Sequence, residues 1–181
     1  MKEFVGFPKI ARLSRDIVIT EKIDGTNGSI YIGEDGEFLV GSRTRWITPD
    51  NDNHGFARWA YEHKEDLITK LGIGQHFGEW WGSGIQRGYG LTKGEKRFSL
   101  FNTHRWYNDR IRPACCGCVP ILYQGDFDTN QIKMELIGLE INGSFVAPGF
   151  MNPEGIIIYH TAANMMFKKT ILKDEKGKGE K

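Results

Sequence analysis

The chain contains no apolar run approaching the roughly 20 residues that a membrane span requires, and Met1-Lys2-Glu3 is not followed by a secretory hydrophobic region. These absences lead to the expectation of a cytoplasmic, intracellular protein without a membrane partner. Excess charge of one sign is also missing, since 24 Lys and Arg oppose 23 Asp and Glu for a formal net charge of +1. Global attraction to nucleic acid is thereby excluded, and an electrostatic footprint would have to be local. The densest basic stretch, Arg87 to Arg112 with Lys93, Lys96, Arg97, Arg105 and Arg110, is interrupted by Glu95 and Asp109, so a solvated mixed-charge surface accounts for it equally well. Cysteine is scarce. Cys115, Cys116 and Cys118 crowd together without a second Cys/His pair at zinc spacing, which favours reduced thiols; His104 is the nearest additional ligand for a metal.

The composition does provide 39% hydrophobic and 12% aromatic residues over 181 positions, enough to bury the core of one domain. β-branched Ile17-Val18-Ile19-Thr20 reads as a buried strand, Asp24-Gly25 as a turn, and Ser29 to Gly33 with Phe38 to Ser42 as a hairpin closed by Glu34 to Glu37. Asn53 to Leu71 reads as one amphipathic helix with an apolar stripe through Phe56, Trp59, Ala60, His63, Leu67 and Leu71. Gly82 to Gly94 is a glycine-rich loop. A second helix is expected from Asp128 or Thr129 to about Gly143, further strands at Val119–Gln124, Gly155–Tyr159 and Met165–Leu172, and a disordered charged tail at 173–181.

Lys22 stands out because it lies where the first strand gives way to the turn. A lysine is a nucleophile only when its amine is deprotonated, which burial or nearby cations promote. Short as it is, Lys22-Ile23-Asp24-Gly25-Thr26-Asn27 resembles the nucleotidyl-lysine motif of the ATP-dependent ligase and mRNA-capping superfamily. Further segments resemble that superfamily's motifs in the same order: Ser42-Arg43-Thr44-Arg45, Phe77-Gly78-Glu79-Trp80-Trp81-Gly82, Arg97 to Asn102, Pro153-Glu154-Gly155-Ile156-Ile157-Ile158 and Met166-Phe167-Lys168-Lys169-Thr170. The resemblance extends from residue 17 to 170. Asn27, where DNA ligases and capping enzymes typically carry Arg, is similar to the phage and RNA-editing RNA ligases, and a phage-encoded source would fit.

The resemblance implies an α+β nucleotidyltransferase (adenylation) fold of antiparallel sheets with flanking helices over residues 1–172; many relatives add a C-terminal accessory domain, and with only about a dozen residues after the last motif none is expected here. It implies an ATP-dependent RNA ligase that joins 5′-phosphate and 3′-hydroxyl RNA ends through lysyl-AMP and adenylated RNA. By the same resemblance Lys22, Glu154 and Lys168 are catalytic; Glu21, Ile23, Asn27, Arg43, Glu79, Phe101 and Lys169 join them around the nucleotide. Phe101 would stack on adenine while the backbone near Glu21 reads the base edge, and Glu154 and Glu79 would hold Mg²⁺ or Mn²⁺. RNA grip must come from the domain itself or from an accessory nucleic-acid-binding protein.

Three features depart from the family pattern. Asp24 stands where double-strand-type RNA ligases often have His, Asn102 stands for a usual Asp, and Lys168 and Lys169 are adjacent where the family separates two lysines by one residue. Strand alternation puts adjacent lysines on opposite faces, so one of them reaches the phosphate; Lys168 is the favoured one, with Lys169 open as the alternative. A DNA ligase, a capping guanylyltransferase using GTP, and a noncatalytic nucleotide- or RNA-end-binding module are the competing readings. Lys22 argues against the last, since a binder has no chemical need for a nucleophile.

Overall fold

A computed structural model describes residues 2–172 and Asp174. After an extended, exposed segment come β1 (Asp16–Lys22), β2 (Thr26–Ile32), β3 (Phe38–Gly41) and the short β4 (Trp46–Ile47). Helices α1 (Phe56–Glu62) and α2 (Lys64–Leu71) lead into β5 (Gly74–Gly82), β6 (Lys96–Leu100), the single-turn α3 (Thr103–Trp106), β7 (Cys116–Cys118) and β8 (Ile121–Asp126). The chain continues through α4 (Thr129–Asn142), β9 (Gly155–His160) and β10 (Met165–Thr170). The expected charged tail lies outside the described residues except for Asp174. Among the described residues no helix is long and apolar enough to cross a membrane.

The strands form two sheets, ordered β10-β9-β1-β8 and β4-β3-β2-β5-β6-β7. Every pairing is antiparallel except β6 with β7, which run parallel. The α+β expectation therefore holds, with one parallel edge that the sequence did not announce. Alternation is clearest in β1, where Ile17, Ile19 and Glu21 are buried while Val18, Thr20 and Lys22 are half-buried. Ile17 and Ile19 join Ile156 and Ile158 of β9 under Leu139 of α4 in a small apolar layer.

The six-stranded sheet has a larger core. Phe56, Ala60, Leu67 and Leu71 of α1 and α2 pack onto Ile30, Val40, Trp80, Phe98 and Leu100. The single helix expected over 53–71 is instead two, interrupted at His63. His63 takes φ −105° and ψ 13°, and its Nδ1 lies 2.8 Å from the Trp59 carbonyl oxygen, so the ring competes with the main chain for that acceptor. The apolar stripe continues across the break because both pieces face the same sheet. The start also moves inward from Asn53 to Phe56. Gly55 adopts φ +84°, and the Asp52 carboxylate accepts the amides of Ala57 and Arg58 at 2.7 and 3.2 Å, supplying acceptors to the helix's open end.

Candidate active site

Lys22 ends β1, and its ammonium donates to the Glu154 carboxylate. One register brings them together. Lys22 pairs with Gly155 on β9, so Glu154 immediately precedes Lys22's cross-strand partner. Gly155 is required here by close approach, since a Cβ at that position would sit 2.2 Å from the Lys169 carbonyl oxygen of β10. The motif glycine Gly25 is likewise constrained by space, because its Cβ would meet the Trp80 carbonyl oxygen at 2.4 Å. The turn after Lys22 is thus laid directly on β5.

That contact delivers Glu79. One carboxylate oxygen accepts the Gly25 amide at 3.0 Å and the other accepts Asn27 Nδ2 at 3.0 Å, with Asn27 directly opposite Glu79 in the β2–β5 ladder. Glu79 is 8% exposed. Burial pushes its carboxyl up to about 7, opposed by the Gly25 bond and the Lys22 charge and reinforced by the charges of Glu154 and Asp24. An oxygen site with mutually unfavourable carboxylates suits a hard divalent cation, whose charge would relieve the repulsion. No group of three or more His, Cys, Asp or Glu side chains among the described residues is arranged to hold a metal ion. A cation here would rest on Glu154 and Glu79 together with phosphate or water oxygens, a ligand set that Mg²⁺ commonly uses.

The other expected site residues fall into distinct positions. In the β10–β9–β1 rows, Lys168 lies across from Ile157 and Thr20, whereas Lys169 lies across from Ile156 and Glu21. Lys168 therefore shares the face of Thr20 and Lys22, and Lys169 shares the face covered by α4. Lys169 Nζ is 2.7 Å from Asp174 Oδ2. Phe101 extends the β5–β6 ladder by donating its amide to the Phe77 carbonyl at 3.0 Å, which puts it on the Glu79 face, 39% exposed. Arg43 is exposed in the turn between β3 and β4.

Glu21 and Ile23 flank Lys22 but turn their side chains into the protein. The Glu21 carboxylate accepts Ser144 Oγ at 2.6 Å and the amides of Phe145 and Val146 at 2.8 and 3.0 Å, while burial raises its pKa against those bonds. It anchors the loop after α4. Ile23 is buried with Trp81, Tyr89, Val119 and Ala147. Both residues hold Lys22's strand end in place, and neither offers its side chain outward. A recess of about 460 Å³ lies between Trp81, Arg97 and Ser99, the segment 112–118, and Phe145 and Val146 of the loop that Glu21 anchors; Lys22, Glu79, Phe101 and Glu154 do not line it.

Asn102 caps α3 by accepting the Arg105 amide at 3.2 Å, a role that needs a side-chain oxygen and no charge. Much of the basic stretch is also committed internally: Arg87 pairs with Asp24, Arg97 with Glu95, and Arg105 and Arg112 donate to backbone carbonyls. Cys116 enters the large core, and Cys115 Sγ lies 3.7 Å from Asp66 Oδ2. Sequence reasoning missed Arg87 and Tyr89 as neighbours of the Lys22 turn. The available signal was an acid in that turn together with cationic and aromatic residues in a glycine-rich loop.

A family model described as RNA ligase matches residues 15–173. No curated protein matches the chain. Solved structures of Naegleria gruberi RNA ligase are similar: a mutant with AMP and Mn gives TM-score 0.65 at 18% identity, covering 86% of this chain and 49% of that one. A mutant with ATP and Mn gives 0.62 at 19% identity, covering 87% and 50%, and the ligase with PPi gives 0.63 at 18% identity, covering 87% and 50%. This chain thus spans about half the length of those structures. At such identities the likeness establishes the fold.

Proposed function

Because the chain belongs to the RNA ligase family, we propose that it is an ATP-dependent RNA ligase whose nucleotidyltransferase domain occupies residues 1–172. The observation that carries this reading is the convergence of Lys22, Glu154 and Glu79, with Lys168 on the same sheet face as Lys22. Lys22 Nζ attacks the α-phosphorus of ATP, the bond from that phosphorus to the bridging oxygen breaks, and pyrophosphate leaves with its electron pair. A lysyl-AMP phosphoramidate results. A 5′-phosphate oxygen of RNA then displaces the lysine to give adenylated RNA, and a 3′-hydroxyl displaces AMP to form the phosphodiester.

The residues divide this work. The Lys22 ammonium, which donates to Glu154, must lose a proton before attack, and Glu154 holds the amine in place for it. Lys168 supplies a point positive charge to the α-phosphate as negative charge builds there. Arg43 serves the ribose and phosphate region, Glu79 the ribose, and Asn27 holds Glu79 in orientation. Phe101, partly exposed on the Glu79 face, stacks on adenine. Mg²⁺ or Mn²⁺ on Glu154 and Glu79 would offset phosphate charge, consistent with the relatives solved with ATP or AMP and Mn.

Intact mass after mixing the protein with Mg²⁺ and ATP or GTP tests the first step. One AMP on Lys22 is expected, and GMP in its place would favour a capping enzyme. Matched 5′-phosphorylated substrates, single-stranded and nicked, ending in 3′ ribose or deoxyribose, test the rest. Preference for the ribose end supports RNA joining, because the 2′-hydroxyl is what distinguishes RNA. Equal or faster sealing of an all-DNA nick overturns it in favour of a DNA ligase.

A further inference from the structure

We propose that Arg87 is a positioning residue that fixes the Lys22 turn against the Glu154 loop, an assignment that rests on Lys22 being the nucleotidylated residue. Its guanidinium joins two segments remote in sequence. Nε donates to Asp24 Oδ2 at 3.0 Å, while Nη1 lies 3.0 Å from the Asn152 carbonyl oxygen, 2.9 Å from Asn152 Oδ1 and 3.2 Å from the Pro153 carbonyl oxygen. Asp24 is two residues beyond Lys22, and Pro153 directly precedes Glu154. Both members of the Lys22–Glu154 pair are thereby held from outside by one planar group. A lysine ammonium lacks the fixed, divergent donors needed to reproduce that span.

The loop that presents Arg87 has an unusual backbone. Gln86 and Tyr89 adopt φ of 43° and 49°, among glycines 84, 88 and 90 at 76°, 68° and 72°. Left-handed conformations in non-glycine residues cost on the order of 1–3 kcal/mol each and persist only where surrounding contacts hold them. Here the contacts converge on Asp24. Tyr89, 2% exposed, accepts the Asp24 amide on its hydroxyl at 2.8 Å, so the loop grips both the main chain and the side chain of one turn residue. Arg87 acts through this grip without touching Lys22 itself.

The test is single-turnover adenylylation over a range of ATP concentrations, followed by intact mass well below the melting temperature. Arg87→Ala should lower the maximal rate by about 10- to 100-fold, the scale expected from small misplacement of a reacting group. The half-saturating ATP concentration should stay within about threefold, and Arg87→Lys should recover only part of the rate. Asp24→Ala, which removes the acceptor of Arg87 Nε, should reproduce the defect, and combining it with Arg87→Ala should add little because both remove the same brace. A wild-type rate in Arg87→Ala, a loss confined to ATP affinity, or additive defects would each overturn the proposal. If Arg87→Ala does not melt cooperatively, Asp24→Ala alone carries the same expectations. Wild-type protein left unlabelled by ATP would defeat the ligase reading separately. The brace would still be tested by amide hydrogen exchange at Asp24 and Gly25, which should accelerate in the arginine variants; unchanged exchange would overturn it.

Discussion

The two sheets are built to different depths. The six-stranded sheet carries Glu79, Asn27 and Phe101 and rests on two helices and a cluster rich in buried aromatic residues. The four-stranded sheet carries Lys22, Glu154 and Lys168, yet its buried layer comprises Ile17, Ile19, Leu139, Ile156 and Ile158, with Met165, Met166 and Phe167 of its edge strand at least half exposed. The groups assigned to the chemistry therefore sit on the thinner layer. Polar ties replace apolar depth there: Glu21 to the loop after α4, Lys22 to Glu154, and Arg87 across both approaches. Such ties fix direction more sharply than apolar contact, which is non-directional.

The strongest break in this contrast is at Lys22. Lys22→Ala should abolish nucleotide labelling, and Lys22→Arg should also fail because a guanidinium stays protonated; intact mass with peptide mapping checks both. Next comes the cores. Leu67 and Leu139 are both fully buried helical leucines, one in each layer. Leu67→Ala should lie toward the top of the usual range of about 2–5 kcal/mol and Leu139→Ala toward the bottom, since a thin layer collapses more readily around a deletion. Denaturant midpoints measure this, and an equal or larger loss at Leu139 would remove the contrast.

The two adjacent lysines should separate by face. Lys168→Ala is expected to slow adenylylation by roughly 10²-fold, the scale of losing one charge-stabilising donor, whereas Lys169→Ala should stay within about threefold of wild type because Lys169 points away from Lys22. Reversed sensitivities would show that the register has been misread. The smallest effect concerns the buried acids. Glu79 is raised to about 7 from 4.5, so its destabilising contribution is absent below about pH 4.5 and complete above about pH 7. Glu79→Gln should therefore gain stability over wild type as pH rises through that window, by on the order of 1–3 kcal/mol. Glu21→Gln should instead lose about 1–3 kcal/mol, because one amide oxygen cannot satisfy three converging donors. Thermal melts from pH 4 to 8 distinguish the signs.

Much of this was legible locally. β1, the turn at Asp24-Gly25, β9 and α4 with its Asp128 cap follow from periodicity and capping, and strand parity puts Lys168 and Lys169 on opposite faces, while which of the two shares the Lys22 face needs the registers across β9. What escaped depends on distant partners. β5 was not recognised as a strand because Gly74, Gly78 and Gly82 interrupt its pattern and Trp80-Trp81 breaks alternation, yet both tryptophans are buried on opposite faces. The helix break at His63 hinges on a side chain bonding its own helix. Glu21 looks like a charged neighbour of the nucleophile until Ser144, more than a hundred positions away, is brought beneath it. The same long-range dependence concealed Arg87 inside a basic stretch.

The register of β10 also bears on how this sheet tolerates genetic change. β10 pairs only with β9 and is joined to it by the turn 161–164, so gaining or losing one residue in that turn would shift the strand by one position and exchange its two faces. In most strands such a shift would replace a functional side chain with an unrelated one. Here it would hand the Lys22 face from one lysine to the next. Losing one residue would bring Lys169 to the position across from Ile157 that Lys168 now holds, whereas gaining one would bring Phe167 there and carry Lys169 to the row of Lys22 itself.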